Sequence, residues 1–512
     1  MVKGKMADKE YWITMMIVFL GFLVFYQYIF DVKIDLNGDN ASYYILGKAL
    51  NAGEGFVNIN SIFKTPNNHF PPGYPFIICL IMFISSSFIA IKLVNGLFLL
   101  GSLFLSYTLV LRFSQSKVVA WMTLAFLITN SHLLRYGTIM MSELSFLFFT
   151  LLSLTLFLRT YDPNNRNLLN YILAFLCMMV AFYIRTLGIA LLAAFLFMMI
   201  KEFRIKWKII IGYLAGFILL FLPWQIRGQH LGGNSYLHQL VMVNPYRPEE
   251  GLADIGDFLS RILKNSERYI TREIPDLIFP FKDIVYTNAI EAWEWIPGII
   301  LVILIVVGIW KLPKFRWLAI ILFASTFFIL LLWPDVWVGI RFVLPLIPFL
   351  IMTMLVGIQF ILSVVSSFVN FKKTIPVWPF ILILLFNFSE IKNLRAKALV
   401  GYEPKWENYF NLAKSFKKEG ASHLVVSCRK PYLFYLFSET YTTGYKYTQD
   451  ANDLIADLKE RKVDYVILDQ LGYSSTFRYL YPAIQNSPKN FEVIAKLENP
   501  DTYLLKFIPS PE

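Results

Sequence analysis

Charged residues are scarce in this 512-residue sequence: they make up 16% of it, whereas ordinary globular domains carry about 25%. Cysteine is scarcer still. Cys79, Cys177 and Cys428 lack the spacing of a metal site and are too few for a disulfide framework. Apolar residues, in contrast, account for 57% of the chain, so most of it is expected to be solvated by lipid. The net charge of +12 does not predict a nucleic-acid partner, because Lys and Arg lie mainly in short loops between apolar runs.

Apolar runs of membrane-spanning length recur along the chain. A bilayer core about 30 Å thick needs about 20 residues of helix, and backbone groups in lipid find partners only within a helix or a closed barrel. The runs therefore predict an α-helical polytopic membrane protein. The candidate runs lie approximately at 12–30, 73–91, 93–111, 118–134, 144–159, 168–184, 186–200, 208–223, 296–310, 316–333, 342–364 and 376–390.

The basic loops predict how the runs are oriented. Lys and Arg cluster before residue 12 and near 159–166, 201–208, 311–316 and 372–373, and such loops are typically cytoplasmic. The first loop (31–72), the loop 224–295 and the region after residue 391 would then lie outside. That arrangement requires an odd number of crossings, so we expect about 11 helices to span and one segment between 73 and 134 not to. No small-residue cleavage pattern follows the first run, which predicts an uncleaved helix.

Soluble patterning begins after residue 391. Alternating apolar residues predict strands at 423–428 and 464–469 and a closing pair of strands within 491–508, while 450–462 and 475–486 have helical periodicity. The sequence thus predicts a transmembrane domain at 1–391 and a small extracytoplasmic α/β domain at 392–512.

The first outer loop contains a candidate catalytic acid. Asn37-Gly38 predicts a turn, after which Asp39 or Asn40 would begin a helix that lies along the membrane surface and ends at Gly53. A carboxylate there could take a proton from an acceptor hydroxyl at the lipid–water boundary. Asp39 could equally be a helix cap, because Asp is among the preferred capping residues.

Further polar residues stand at the ends of apolar runs. Glu143 opens the run at 144, where an acid is also favoured by the helix dipole. Arg185, Arg227 and Arg341 fall at or near the predicted outer face, against the usual cytoplasmic bias of positive charge. Snorkelling explains any one of them, but three on one side favour an anion. Arginine suits a phosphate because its planar fork binds two oxygens.

Five short motifs in a fixed order resemble the GT-C glycosyltransferases, specifically the protein O-mannosyltransferase and aminoarabinose-transferase branch. The resemblance covers about residues 10–365. The motifs are Gly-Asp39 with Tyr43-Tyr44, Pro71-Pro-Gly-Tyr74-Pro75, Ser142-Glu143, Leu222-Pro-Trp-Gln-Ile-Arg227 and Arg341-Phe-Val-Leu-Pro-Leu-Ile-Pro348.

The resemblance implies a role for each residue. Asp39 and Glu143 would be the catalytic acids, His69, Arg185, Arg227 and Arg341 would hold the donor phosphate and its lipid, and Tyr43, Tyr44 and Tyr74 would line the donor or acceptor pocket. Two positions depart from the family: Asn40 stands where many relatives have a second acid, and His69 where some have a lysine. No metal is required, although Asp39 with Glu143 could hold a divalent ion, as in some relatives.

The implied reaction is an inverting transfer of a hexosyl or pentosyl group from a polyprenyl-phosphate-linked donor. The acceptor would be a membrane lipid, a glycan or a protein at the outer face of the inner (plasma) membrane. A transporter or lipid flippase is the alternative. It would need ionisable residues within mid-membrane helices and paired broken helices, and Pro345 and Pro348 have no matched partner elsewhere. A catalytically silent scaffold is a third possibility.

Overall fold

The computed structural model describes residues 8–36, 38–162, 165, 167–201, 207–232, 235–280, 284–368 and 378–509, and most of these are helical. Helices dominate up to residue 399, and the only sheet in the described ranges follows them. The helices of the first part are α1 (Asp8–Ile29), α2 (Asp39–Asn51), α3 (Gly73–Met82), α4 (Phe88–Ser114), α5 (Lys117–Thr129), α6 (Ser131–Gly137), α7 (Glu143–Arg159), α8 (Leu168–Ile184), α9 (Ile189–Lys201), α10 (Trp207–His230), α11 (Ser235–Val241), α12 (Ile255–Arg268), α13 (Ile274–Ile278), α14 (Ala292–Lys311), α15 (Arg316–Leu332), α16 (Ile347–Phe368) and α17 (Trp378–Leu399).

The chain is a multi-pass membrane protein. In the described residues, α1, α4, α10, α14 and a segment that includes α16 are long and apolar enough to cross a bilayer, and α5 with α6 adds a sixth span if their 57° bend lies within one crossing. Shorter apolar helices include α8, α9 and α15. The total of about 11 crossings stays a prediction.

The apolar run at 73–91 is not one helix. Three serines interrupt it: α3 ends at Met82, and the hydroxyl of Ser87 accepts a hydrogen bond from the Ile89 amide (3.2 Å) at the start of α4. At about 1.5 Å per residue, the ten residues of α3 cannot cross a 30 Å core. Within 73–134, α3 is therefore one segment too short to span, and the broken pair α5 and α6 is another candidate for the segment that does not cross.

Glycines let two of the long helices approach closely. A Cβ at Gly308 of α14 would overlap the carbonyl oxygen of Thr353 in α16, and a Cβ at Gly357 would overlap that of Leu304. Small residues are common at such crossings in membrane proteins. In lipid the hydrophobic effect does not drive helices together, so close van der Waals packing contributes more to their association.

The C-terminal domain is a five-stranded sheet with helices on both faces. The strands lie in the order β2-β1-β3-β5-β4. The first three are parallel, and β5 runs antiparallel to both β3 and β4. All the predicted strands and helices of this domain are present, together with α18, α19 and β2, which were not predicted. The elements are α18 (Pro404–Lys418), β1 (Val425–Ser427), α19 (Pro431–Ser438), β2 (Tyr441–Thr443), α20 (Ala451–Glu460), β3 (Tyr465–Leu468), α21 (Tyr481–Asn486), β4 (Phe491–Leu497) and β5 (Thr502–Phe507).

The first loop joins the membrane helices to this domain. Ile34 and Ala41 are buried in the same apolar core as α18 and α19, and the Asn60 side chain donates to the carbonyl (3.2 Å) and hydroxyl (3.1 Å) of Thr442 in β2. On its other side, α2 packs against α3. The loop is thus held between the two halves of the molecule.

Candidate active site

Asp39 is the first residue of α2, and its carboxylate does not cap that helix. Gly38, with a positive φ of 95°, occupies the cap position, and no side chain makes a capping hydrogen bond there. The Asp39 carboxylate instead accepts a hydrogen bond from the Arg341 guanidinium at 2.7 Å, and both side chains are partly exposed (33% and 27%). Asp39 is therefore oriented by a partner more than 300 residues away in sequence.

Arg341 lies in a short turn that a buried ion pair holds in place. The turn Ile340–Phe342 follows Gly339, whose amide donates to the Glu273 carboxylate at 2.8 Å. Glu273 is fully buried and also pairs with Arg268 at 3.0 Å. This network fixes the backbone from which Arg341 reaches Asp39.

Glu143 and Arg185 form a second pair. Glu143 is fully buried at the start of α7, and its carboxylate lies 2.7 Å from the guanidinium of Arg185, which is 14% exposed. Arg185 follows the last residue of α8 in an extended conformation, so its side chain turns away from the helix. Its guanidinium also lies 3.4 Å from the hydroxyl of Ser142 and 5.7 Å from the centre of the Phe342 ring.

A cavity of about 750 Å³ joins these residues. Asp39, Arg341 and Arg185 line it, whereas Glu143 lies behind Arg185 and is not part of the lining. The aromatic wall includes Trp224, Trp333, Trp337, Phe342, Tyr246, Tyr447 and Tyr473. Polar groups that converge in a largely aromatic cavity are typical of a ligand site.

The other predicted site residues fall into two groups. Tyr43 and His69 line the cavity, and burial lowers the pKa of His69. Tyr74 is buried below them, where its hydroxyl accepts from Asn95 (2.9 Å) and its ring meets that of Tyr43 edge-on. It supports Tyr43 but is not part of the lining.

Arg227 and Tyr44 are not brought to the cavity wall. The Arg227 guanidinium donates to the carbonyls of Asn67 (3.0 Å) and Phe56 (3.3 Å), and so braces the first loop from within. The Tyr44 hydroxyl donates to the Ser86 carbonyl at 3.0 Å, beside the start of α4.

No ligand set for a metal is present in the part of the chain that the structure describes. There, no three His, Cys, Asp or Glu side chains come together. Asp39 and Glu143 each face their own arginine, and this arrangement does not fit a shared divalent ion.

Solved structures of two proteins resemble this chain over nearly its whole length. ArnT from Cupriavidus metallidurans bound to undecaprenyl phosphate gives a TM-score of 0.61 at 12% identity, covering 99% of this chain and 100% of that one. The archaeal oligosaccharyltransferase AglB from Archaeoglobus fulgidus, in complex with an inhibitory peptide and a dolichol-phosphate, gives 0.56 at 11% identity, covering 98% and 74%. The chain has a GT-C fold. No family model and no curated protein matches its sequence.

This GT-C fold confirms the predicted class, a polytopic helical membrane protein with a small C-terminal α/β domain. It also confirms the predicted resemblance at the level of the fold.

The sequence interpretation missed the part of the cavity that the C-terminal domain forms. Arg429 and Lys430 line it, together with Tyr447, Tyr473 and Ser474. The one signal in the sequence was a pair of adjacent basic residues directly after the predicted strand 423–428.

Proposed function

We propose that this protein is an inverting glycosyltransferase that takes its sugar from a polyprenyl-phosphate-linked donor. The observation that carries the proposal is the Asp39–Arg341 pair: a carboxylate able to accept a proton lies 2.7 Å from a guanidinium able to bind a phosphate, in a cavity of about 750 Å³. The GT-C fold supports it, since the ArnT and AglB structures named above contain undecaprenyl phosphate and a dolichol-phosphate.

The reaction is a single displacement. Asp39 removes the proton from an acceptor hydroxyl, whose oxygen attacks the anomeric carbon. The bond between that carbon and the phosphate oxygen breaks, and the polyprenyl phosphate leaves with the electron pair and one additional negative charge. Arg341 and Arg185, already aimed into the cavity, stabilise this charge as it develops.

Glu143 acts through Arg185 in this proposal. It is fully buried and touches the guanidinium at 2.7 Å, so it orients Arg185 and does not meet substrate. Tyr43 and the aromatic wall contact the sugar or the acceptor. The mechanism uses no metal, because guanidinium groups neutralise a monophosphate leaving group.

The outer face of the inner membrane is the proposed site of transfer, with the C-terminal domain outside the cytoplasm. The acceptor is a membrane lipid, a glycan or a protein. A transporter or flippase is less well supported. Proton and ion relays use ionisable residues in the middle of membrane spans, whereas Asp39 and Glu143 stand at the first positions of their helices and are each paired with an arginine.

The test is the release of polyprenyl phosphate from polyprenyl-phosphate sugars by membranes that contain the protein. Asp39→Asn is expected to reduce release by roughly 10² to 10⁴-fold, as for the loss of a general base. Glu54→Gln is the matched control, because Glu54 lies in the same loop but pairs with Lys64 away from the cavity lining. Full activity of Asp39→Asn would exclude Asp39 as the base. Sugar delivered across the membrane without donor cleavage would instead indicate transport.

A further inference from the structure

The C-terminal domain has a topological switch point in its sheet. In the order β2-β1-β3-β5-β4, the chain leaves β1 toward β2 on one side and leaves β3 toward the β4–β5 pair on the other. The α19 residues that follow β1 pack in the apolar core on one face of the sheet, and the α21 residues that follow β3 pack in the core on the opposite face. This divergence opens a crevice outside the carboxyl ends of β1 and β3, which is where open α/β sheets bind their ligands.

The crevice faces the cavity of the membrane domain. Arg429 and Lys430 begin two residues after the end of β1, and Tyr473 and Ser474 follow β3; all four line the cavity. Lys430 lies close to the residue that precedes Asp39, because a Cβ built on Gly38 would lie 3.3 Å from the Lys430 ammonium. The switch point of the soluble domain and the candidate active site are therefore one space.

Both basic side chains are held against a tyrosine. The Arg429 guanidinium lies 4.5 Å from the centre of the Tyr473 ring, and the Lys430 ammonium also lies 4.5 Å from it. In the described residues, the buried Nε of Arg429 has no hydrogen-bond partner. Stacking on aromatic rings leaves the N–H groups of a guanidinium available to an anion.

The charge of the cavity points to an anionic ligand. Four cationic side chains line it, Arg185, Arg341, Arg429 and Lys430, against a single lining carboxylate, Asp39. Two of the arginines are already paired with Asp39 and Glu143. The buried Asp469 adds a third acid near the basic pair, and even with all three acids ionised the cations remain in excess by one. That excess is contributed by the C-terminal domain.

We infer that Arg429 and Lys430 form a phosphate-binding site at the switch point of the C-terminal domain, and that its ligand is the phosphate of the polyprenyl carrier. This inference rests on the proposed function for the identity of the carrier. The leaving polyprenyl phosphate bears one more negative charge than the donor, so the cationic side chains of Arg429 and Lys430 bind it more strongly than the donor and favour the transition state. The soluble domain then completes the active site.

The test is direct binding of undecaprenyl phosphate and of uncharged undecaprenol to the purified full-length protein in lipid nanodiscs. Arg429→Gln and Lys430→Met are each expected to weaken binding of undecaprenyl phosphate by roughly 10- to 100-fold, as for a lost charged hydrogen bond, and to leave undecaprenol binding unchanged. Lys430→Arg should retain most of the affinity. Lys489→Met is the matched control, because Lys489 is an exposed lysine of the same domain that does not line the cavity.

Three results would contradict a carrier-phosphate site at Arg429 and Lys430. Unchanged undecaprenyl phosphate binding in both variants would overturn the inference, and so would an equal loss for undecaprenol, which would indicate a damaged fold. Glucosamine 1-phosphate and inorganic phosphate serve as competitors. If either binds at Arg429 and Lys430 without displacing undecaprenyl phosphate, the site serves a water-soluble phosphate or the acceptor, which contradicts the assignment.

The proposed function fails by a different result. One outcome is that Asp39→Asn keeps its full rate of donor cleavage while Arg429→Gln and Lys430→Met lose undecaprenyl phosphate affinity. That result would contradict the assignment of Asp39 as the base and support the phosphate site. If Asp39→Asn is inactive and the two variants bind normally, the phosphate site is contradicted and the assignment of Asp39 is supported.

Discussion

The buried pair of Glu143 and Arg185 predicts which of two single variants will lose more free energy of unfolding. Glu143 is fully buried, and the second oxygen of its carboxylate has no hydrogen-bond partner among the described residues. Arg185→Gln would therefore leave a buried carboxylate without its counter-charge, which typically costs about 3–5 kcal/mol. Glu143→Gln leaves a guanidinium that borders the cavity and still has Ser142 at 3.4 Å, so we expect a loss of about 1–2 kcal/mol.

The double variant distinguishes pairing from two independent effects. Without either charge, Arg185→Gln/Glu143→Gln should be more stable than Arg185→Gln alone, with a coupling energy of about 1–3 kcal/mol. The free energy of unfolding is measured by equilibrium unfolding in mixed detergent micelles, for the unsubstituted protein and for the three variants. Additive losses, or a larger loss for Glu143→Gln than for Arg185→Gln, would refute the argument that the acid is buried because the arginine compensates it.

Three further predictions concern packing, loop anchoring and pH. Gly308→Ala should lower the thermal stability in detergent, because the added methyl group meets the Thr353 carbonyl of α16, whereas Gly212→Ala should not, since nothing lies within 4 Å of its Cβ. Arg227→Met should increase the rate at which protease cuts the first loop, because two loop carbonyls lose their donor; an unchanged cleavage rate would show that the loop is held by its other contacts. Burial and the neighbouring Arg429 lower the pKa of Lys430 to about 8, so affinity for undecaprenyl phosphate should fall as the pH rises through 8, and Lys430→Arg should move that decline to higher pH.

The sequence located residues near the cavity best where one segment carried the signal. The acid after Gly38 could be identified locally, and so could Glu143 at the start of its helix. Asn37, the first residue of the predicted turn, lies outside the described residues. What local sequence could not provide was whether the Asp39 carboxylate caps α2 or faces another part of the chain. That choice depends on Arg341, which the fold brings to 2.7 Å across 302 residues of sequence.

Other features were missed for physical reasons that differ from case to case. The 73–91 run looked continuous because Phe83 and Ile84 keep the apolar pattern going across the break, yet these two side chains are 72% and 92% exposed and α3 ends before them. Strand β2 has three residues, too few for an alternating pattern to be recognised. Its place is set by pairing with β1 and by the Asn60 contact from the first loop.

The roles of the arginines could be predicted only as a group. Arg185, Arg227 and Arg341 share a residue type and a predicted position at the outer face, but each has a different partner in the structure. Arg227 meets backbone carbonyls, and the other two meet acids. Arg429 was overlooked because it belongs to a segment with soluble patterning, where a basic residue at a strand end has no special meaning until the strand order is known.

The way the first loop is anchored has a practical consequence for anyone who wishes to shorten this protein. Ile34 and Ala41 are buried against the C-terminal domain, and Asn60 extends the pairing of its outermost parallel strand. A version cut after α17 would lose one wall of the cavity and would expose Ile34 and Ala41, which lie on either side of Asp39 in the sequence. The first loop and the C-terminal domain therefore form one structural unit. Exchanging C-terminal domains between homologues should require exchanging the first loop with them.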